Sequence, residues 1–166
     1  SPITVPSQDM VLGLYYMTKL LKSTDEYKVK GEGLTFYSDE EVNIAYNEER
    51  VELNAMIKIR AKDFNKNGEL VFKIIETTVG RVLFNQVVPE QAGFINEVLT
   101  KKSLRDIIGK ILKVTSVPET AQFLDKIKDM GFSFAFKGGL SFSLGDIIIP
   151  PEKHEMISSA NAEVDS

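Results

Sequence analysis

The sequence contains no cysteine and no tryptophan, and only one histidine among its 166 residues. Without cysteine, the chain has no disulfides, thiolate zinc sites, iron–sulfur clusters or cysteine nucleophiles. A single histidine excludes a histidine-rich metal centre and makes any Ser-His-Asp triad depend on that one residue. No apolar run approaches the ~20 residues that a membrane-spanning helix requires. These absences leave little chemistry for an autonomous active site.

The overall composition is that of an ordinary globular protein. Hydrophobic residues make up 43% and charged residues 27% of the chain, which argues against wholesale disorder. A chain of this length can bury a core without metal or disulfide support. The net charge of −4 argues against a dedicated nucleic-acid coat protein, whose surface would be basic.

The two ends of the sequence suggest a piece of a larger protein. The chain begins with Ser1 and has no signal peptide, and it stops at Ser166 inside an expected helix. We therefore expect the composition to describe this piece and not the whole protein.

Helical signals dominate the first part of the chain. Ser7 is a predicted N-cap, and it precedes an apolar repeat at helical spacing: Met10, Leu14, Met17 and Leu21. Ser38 and Glu41 have capping-box spacing, which predicts a short helix to about Glu49.

The middle of the chain is predicted to be a small antiparallel sheet. Residues 55–60 alternate between apolar and other side chains, as in a half-buried strand. Asn67-Gly68 indicates a hairpin turn, and residues 70–75 form the expected returning strand. A third strand is predicted from Thr78 to Val88.

Helices return in the last third of the chain. Leu104, Ile107, Ile108, Ile111 and Leu112 form an amphipathic stripe that begins at a Ser103–Asp106 capping box. A second helix is predicted from Ser116 to a glycine stop at Gly131. Residues 132–149 are ambiguous, because Phe132, Phe134 and Phe136 alternate as in a strand and Gly138-Gly139 then breaks the pattern. An acidic helix is predicted from Glu152. The predicted fold class is α+β, with mixed helices around a small antiparallel sheet.

Three motifs allow both a chemical and a structural interpretation. Lys137-Gly138-Gly139 could approach a phosphate, but a turn is the favoured interpretation. His154 could be a general base, yet it has no clustered partners and is expected to be an exposed helix residue. Asp39-Glu40-Glu41 could ligate a metal, but a helix start accounts for the same residues.

Two basic features leave the choice more open. Residues 101–113 carry a local charge of +4, which either faces phosphates or forms the solvated side of an amphipathic helix. Arg81 lies within the predicted third strand. Its side chain must reach solvent, pair with a carboxylate, or face a polar cavity.

A resemblance adds to this interpretation. Val5–Thr18 strongly resembles a stretch of the β′ subunit family of bacterial DNA-dependent RNA polymerases that follows the catalytic aspartate loop. Thr77–Arg81 is similar to the family's T-T-V-G-R strand, and Asp146–Glu155 is similar to the segment that opens its next helix. The resemblance spans nearly the whole chain, apart from a weakly matched insert at residues 22–50.

The resemblance implies a fragment of a larger multidomain subunit, with no active site of its own. Residues 1–131 would be the pore domain, and residues 132–166 a connection followed by the first helix of the funnel. The pore domain lines the secondary channel, where nucleoside triphosphates enter and the RNA 3′ end is extruded on backtracking. The implied partners are the β, α, ω and σ subunits, the DNA template, the RNA transcript and transcript-cleavage factors, in the cytoplasm and without a membrane.

The resemblance also implies where the metals and the candidate site residues lie. The family's Mg²⁺-binding motif, Asn-Ala-Asp-Phe-Asp-Gly-Asp, is absent here, so Mg²⁺ and a structural Zn²⁺ are expected outside this chain. The residues expected to face the channel are Gln8, Arg81, Lys101, Lys102 and Arg105. The sequence departs from the family at Gly145, where the first of two adjacent aspartates is replaced and only Asp146 remains.

Two other functional classes remain open at this stage. One is an autonomous regulatory or ligand-binding domain without catalysis, which should have a closed pocket of its own. The other is a stand-alone nucleic-acid-binding domain, whose binding would depend strongly on salt.

Overall fold

The computed structural model describes residues 7–145, with side chains to residue 137, and these residues form an α+β fold as predicted. The elements, in chain order, are α1 (Gln8–Thr18), β1 (Thr35–Phe36), α2 (Asp39–Asn47), β2 (Met56–Phe64), β3 (Leu70–Thr78), α3 (Val79–Asn85), α4 (Lys101–Val114) and α5 (Val117–Gly145). A single 3-10 turn, Glu90–Ala92, lies between α3 and α4.

The sheet has the strand order β1-β2-β3. Strands β2 and β3 form the predicted antiparallel hairpin, in register from Met56 opposite Thr78 to Phe64 opposite Leu70. The turn depends on Gly68, whose φ of +80° is readily adopted by glycine alone. The two-residue strand β1 adds to β2 in parallel, which makes the small sheet mixed.

The starts of the first two helices are confirmed. Ser7 Oγ accepts a hydrogen bond from Met10 N at 3.2 Å, and Ser38 Oγ accepts one from Glu41 N at 3.2 Å. The acidic residues 39–41 occupy the first turn of α2, where they complement the helix dipole. Helix α1 ends earlier than the apolar repeat suggests, so Leu21 lies beyond it and is exposed.

The predicted third strand from Thr78 to Val88 is wrong, because the chain turns into helix α3 at Val79. The hydroxyl of Thr78 caps this helix by accepting a hydrogen bond from Arg81 N at 3.2 Å. Gly80 lets α3 approach the carbonyl of Met17 at the end of α1. Tertiary packing therefore overrides the strand propensity of this β-branched run.

The predicted limits of the last helices are also corrected. Helix α4 begins at Lys101, with Thr100 and Ser103 forming the capping box expected at Ser103 and Asp106. Helix α5 continues through Gly131 to Gly145, so Gly131 is not a stop and residues 137–139 form no turn. The predicted helix from Glu152, with His154, lies outside the described residues.

Gly131 has a packing role, because it faces α1. A Cβ at this position would lie 2.6 Å from the carbonyl oxygen of Met10. A Cβ on Gly13 would in turn overlap the carbonyl oxygen of Gly131. The paired glycines let the backbones of α1 and α5 approach closely.

The chain divides into a unit ending at Ala135 and a second unit from Phe136. The first unit has two apolar clusters. One joins α1, α4 and α5, and there Phe84 meets Phe123 edge-to-face with ring centroids 6.2 Å apart. The other packs the inner face of the sheet against α2 and α3, around Val42, Ile57 and Ile59. The described part of the second unit is the end of α5.

Polar contacts hold the long segment between α1 and β1. Asn54 Nδ2 donates to the carbonyls of Tyr16 at 2.9 Å and Lys19 at 2.8 Å. Lys30 N donates to one oxygen of Glu52 at 2.8 Å, and the Tyr27 hydroxyl donates to the other. Glu52 therefore anchors the middle of the segment.

The Tyr27–Glu52 contact predicts a dependence on alkaline pH. The hydrogen bond to Glu52, then burial and the charge of Glu52, raise the pKa of Tyr27 from 10.0 to about 12. Since the folded-state pKa is the higher one, the contact stabilises the fold below pH 10 and is lost as the pH rises through about 12. Titration of tyrosinate absorbance should show a late ionisation of Tyr27 beside that of Tyr46, whose pKa is also raised by burial. The amplitude of this late ionisation should fall in Tyr27→Phe, and part of it should move to lower pH in Glu52→Gln.

Candidate functional site around Arg81

The five predicted site residues lie in two separate places. Gln8 is the first residue of α1 and is exposed. Arg81 lies on α3 beside the other end of α1, and ten residues of helix place these ends ~15 Å apart. Lys101, Lys102 and Arg105 are exposed in the first two turns of α4. The structure therefore brings Arg81 and the start of α4 to the same end of α1, and leaves Gln8 at the opposite end.

The guanidinium of Arg81 is fixed by neutral oxygen atoms. Its Nε donates to the carbonyl of Thr18 at 2.9 Å, and its Nη1 donates to Asn96 Oδ1 at 3.1 Å. Asn96 is itself held, because its Nδ2 donates to the carbonyl of Glu76 at 2.8 Å and its Oδ1 accepts from Thr77 Oγ1 at 2.8 Å. Of the three possibilities that the sequence allowed, carboxylate pairing is not the one observed among the described residues.

The position of Arg81 is favourable for a cation. Thr18 is the last residue of α1, where unsatisfied carbonyls carry the negative end of the helix dipole. Burial lowers the pKa of Arg81 below the ordinary arginine value, and the nearby charge of Glu97 acts in the opposite direction. Arginine is not deprotonated in proteins, so the side chain carries its positive charge.

The side chain of Thr18 links this end of α1 to the start of α4. Its buried hydroxyl donates to the carbonyl of Leu14 at 2.7 Å and accepts from Leu99 N at 2.9 Å. Leu99 directly precedes Thr100, the N-cap of α4. The same helix end thus positions both the guanidinium of Arg81 and the first turn of α4.

Asn85 fixes the loop that carries Asn96. Its Nδ2 donates to the carbonyls of Arg81 at 2.7 Å and Ile95 at 2.8 Å, and its Oδ1 accepts from Ile95 N at 2.8 Å. Sequence reasoning missed Thr18, Asn85 and Asn96. The only sequence signal was the position of Asn85 inside an apolar run, where a polar side chain needs buried partners.

The start of α4 has an unfavourable charge pattern for a helix. Its first turn carries Lys101 and Lys102 and no acidic residue, although the helix dipole favours negative charge there. Lys102 Nζ lies 3.4 Å from Asp106 Oδ2, but both side chains are largely exposed and the pair contributes little. The first two turns of α4 thus expose three cationic side chains, those of Lys101, Lys102 and Arg105, and one carboxylate, that of Asp106.

The described clefts lie away from these residues. A cleft of about 560 Å³ lies between the open edge of β2 and the starts of α2 and the 3-10 turn, and none of the five residues lines it. A smaller cleft of about 270 Å³, between the end of α3 and the first turns of α5, also contains none of them. Lys101, Lys102 and Arg105 are exposed and Arg81 is half-buried, so the candidate site lies at the surface of the described residues.

Within residues 7–145, no group of three or more His, Asp or Glu side chains is arranged to hold a metal ion. No helix in the same range is long and apolar enough to cross a membrane.

Comparisons with known proteins identify close relatives. The family model described as RNA polymerase Rpb1, domain 3, matches residues 1–147. The β′ subunit of DNA-directed RNA polymerase from Flavobacterium psychrophilum is 70% identical over 165 residues, which is 99% of this chain and 12% of that subunit. The β′ subunits of Karelsulcia muelleri and Parabacteroides distasonis are 63% and 56% identical, over 98% and 99% of this chain and 11% of each subunit. The chain thus spans only 11–12% of the length of these relatives.

Proposed function

The chain belongs to the RNA polymerase Rpb1 domain 3 family, and from this we propose that it is part of the β′ subunit of a DNA-dependent RNA polymerase. The assembled enzyme, with its β, α, ω and σ subunits, would make RNA on a DNA template from ribonucleoside triphosphates. The isolated segment would be inactive. Mg²⁺ and a structural Zn²⁺ would be held elsewhere in the subunit.

Within that enzyme, residues 1–131 would line the secondary channel as a pore domain. This route would admit nucleoside triphosphates and receive the RNA 3′ end when the enzyme backtracks. Residues 132–166 would lead into the funnel, near which transcript-cleavage factors dock. The observation that best supports a route for polyanions is that Arg81 and the start of α4, with its exposed cations, are both held at the same end of α1 in a chain of net negative charge.

The side chains available for this role follow from the contacts described above. A guanidinium has five N–H groups, and Arg81 directs one at Thr18 and one at Asn96. The remaining N–H groups could contact phosphate oxygens while the first two keep the side chain in place. Lys101, Lys102 and Arg105 would add longer-range attraction. At the opposite end of α1, Gln8 would form a separate contact with an anion, through its side-chain amide and the backbone N–H groups of the helix start.

A crosslinking experiment tests the proposal. A photoreactive nucleotide is placed at the RNA 3′ end of the full polymerase, and adducts are mapped before and after backtracking. We expect an adduct near Gln8 or Arg81 that appears only in the backtracked complex. Adducts confined to other regions, in a complex shown to be backtracked, would mean that this segment has only a structural role.

Variants of the full enzyme distinguish residues that contact the RNA from residues that only support the fold. Gln8→Ala and Arg81→Ala are each expected to change the lifetime of backtracked pauses by about tenfold, as for the loss of one charge-assisted hydrogen bond. Asn96→Ala is the matched control, because it weakens the same anchor while keeping the charge of Arg81. If Asn96→Ala reproduces the whole effect of Arg81→Ala, then Arg81 only supports the fold.

A further inference from the structure

One edge of strand β2 is only partly covered. Strand β1 pairs with β2 at Lys58 and Ile59 alone, whereas β3 pairs with the full length of the other edge. Lys58 N donates to the carbonyl of Leu34 on the β1 side at 2.9 Å. Since backbone groups alternate between the two edges, the N–H and C=O of Lys62 also point to that side. Among the described residues, no strand pairs with this edge beyond Ile59.

The uncovered edge borders the cleft of about 560 Å³, a volume typical of ligand sites. Its lining includes the apolar side chains of Ile59, Ala61, Val82 and Phe94, while the start of α2, with the acidic residues Asp39 and Glu40, forms another wall. Beyond the cleft, Phe94 N donates to Asp63 Oδ1 at 3.0 Å. The unpaired stretch from Arg60 to Lys62 is roughly 10 Å long, the length of three strand residues.

The chemistry differs between the two faces of this edge. The outer face presents Lys58, Arg60 and Lys62, opposite Glu76, Ile74 and Phe72 of β3. The guanidinium carbon of Arg60 lies 3.9 Å from the centroid of the Phe72 ring, and no carboxylate in residues 7–137 lies within ion-pair distance of it. The inner face presents Ile59 and Ala61. A strand added here would therefore place acidic side chains beside Arg60 and an apolar side chain beside Ala61.

We propose that an extended segment of the same β′ subunit, from outside these 166 residues, adds to this edge of β2. The segment would alternate acidic and apolar residues, with its carboxylates toward Arg60 and its apolar side chain over Ala61. Such β-strand addition uses backbone hydrogen bonds for affinity and alternate side chains for specificity. The proposal rests on the chain being part of a longer subunit, and it is independent of any role in the secondary channel.

The size of the edge favours a tethered segment over a separate protein. A few backbone hydrogen bonds and one apolar contact are far less than the interface of a stable protein complex. A segment of the same polypeptide needs much less intrinsic affinity, because the chain raises its effective concentration. The relatives offer many such segments, because this chain covers 12% of the length of the Flavobacterium psychrophilum subunit.

Photo-crosslinking in the assembled polymerase tests this proposal. A benzophenone amino acid replaces Tyr37, which lines the cleft with its side chain 70% exposed, and the adducts are mapped by mass spectrometry. We expect an adduct with a β′ segment outside these residues that alternates acidic and apolar side chains. Phe132 is the control position, since it is also exposed but does not line the cleft.

Two substitutions at Lys62 distinguish a backbone hydrogen bond at the open edge from contacts of the Lys62 side chain. Lys62→Pro removes the N–H that points to the open edge and keeps the β2–β3 hydrogen bonds, so it should lower the Tyr37 adduct about fivefold or more. Lys62→Ala also loses the 3.1 Å ion pair with Glu90 but keeps the N–H, so it should retain the adduct. The same loss in both variants would overturn the proposal, as would adducts with another polypeptide or only within these 166 residues.

If the polymerase with Lys62→Pro does not assemble, hydrogen exchange of the unaltered enzyme tests the proposal instead. Residue-resolved hydrogen exchange of the assembled polymerase should show a slowly exchanging amide at Lys62, because a partner carbonyl would accept from it. Rapid exchange at Lys62, beside slow exchange at the β3-paired amide of Ile59, would mean that the edge is open and would overturn the proposal.

Discussion

Replacing Gly80 with alanine is expected to lower the free energy of unfolding by about 3 kcal/mol, the upper range of overpacking in a dense core. A Cβ on Gly80 would overlap the carbonyl oxygen of Met17 and lie 3.3 Å from that of Leu53. Both obstacles are backbone atoms, so neither can rotate away. Helix α3 would have to move off α1, which would also weaken the 2.8 Å hydrogen bond from Gly80 N to Leu53. Urea unfolding of the 166-residue chain would measure the loss.

Gly109→Ala is the matched control for this experiment. Gly109 is exposed within α4, and a Cβ there would meet no atom within 4 Å. Alanine should stabilise that helix by ~1 kcal/mol, because glycine has the greater backbone entropy to lose. The two Gly→Ala substitutions are thus expected to have opposite signs. A loss below ~1 kcal/mol in Gly80→Ala would show that α3 and α1 are not in direct backbone contact.

Thr18→Val is expected to cost about 2 kcal/mol of folding stability. Valine matches the shape of threonine, so the substitution leaves no cavity, but it removes the hydroxyl that accepts from Leu99 N at 2.9 Å. Both residues are buried, so the N–H of Leu99 would lose its acceptor without gaining water. Thermal or urea unfolding would record the loss, and hydrogen exchange at Leu99 should become faster.

Thr120→Val controls for the removal of a buried threonine hydroxyl. Thr120 Oγ1 donates to the carbonyl of Ser116 at 2.8 Å, and that carbonyl also accepts from Thr120 N at 2.9 Å. Valine at this position leaves the carbonyl with a partner, so the expected cost is only about 0.5 kcal/mol. Equal losses of stability in the two variants would show that the hydrogen bond between Thr18 and Leu99 contributes no more than that of Thr120.

The sequence predicted the elements whose signals are local. The capping serines Ser7 and Ser38 and the Asn67-Gly68 turn act within a few residues, so α1, α2 and the β2–β3 hairpin formed where expected. Cap and turn chemistry is determined by neighbours in the chain, and a single sequence contains all of it.

The errors occurred where distant residues decide the structure. Residues 79–85 have the β-branched character of a strand, but they form α3 because Gly80 fits against a carbonyl of α1. Gly131 was interpreted as a helix stop, but it serves a close contact with α1 about 120 residues earlier in the chain. Glycine has the same appearance in a sequence whether it ends a helix or lets two helices approach.

The candidate site was predictable only in part. Arg81 was recognisable as an unusual residue, but its partner Thr18 lies 63 residues away and Asn96 lies in a loop without a motif. The basic start of α4 could be predicted from the sequence, although its position beside Arg81 could not. The charges were thus visible in the sequence, whereas their convergence depends on the packing of α1, α3 and α4.

The neutral partners of Arg81 have a consequence for the response to salt. A carbonyl and an amide oxygen hold the guanidinium without cancelling its charge, so the anchor depends on short-range hydrogen bonds that dissolved ions affect little. The attraction between the same charge and a distant anion is screened over about 8 Å at physiological ionic strength. Raising the salt concentration should therefore weaken the capture of anions by this surface while leaving its shape intact.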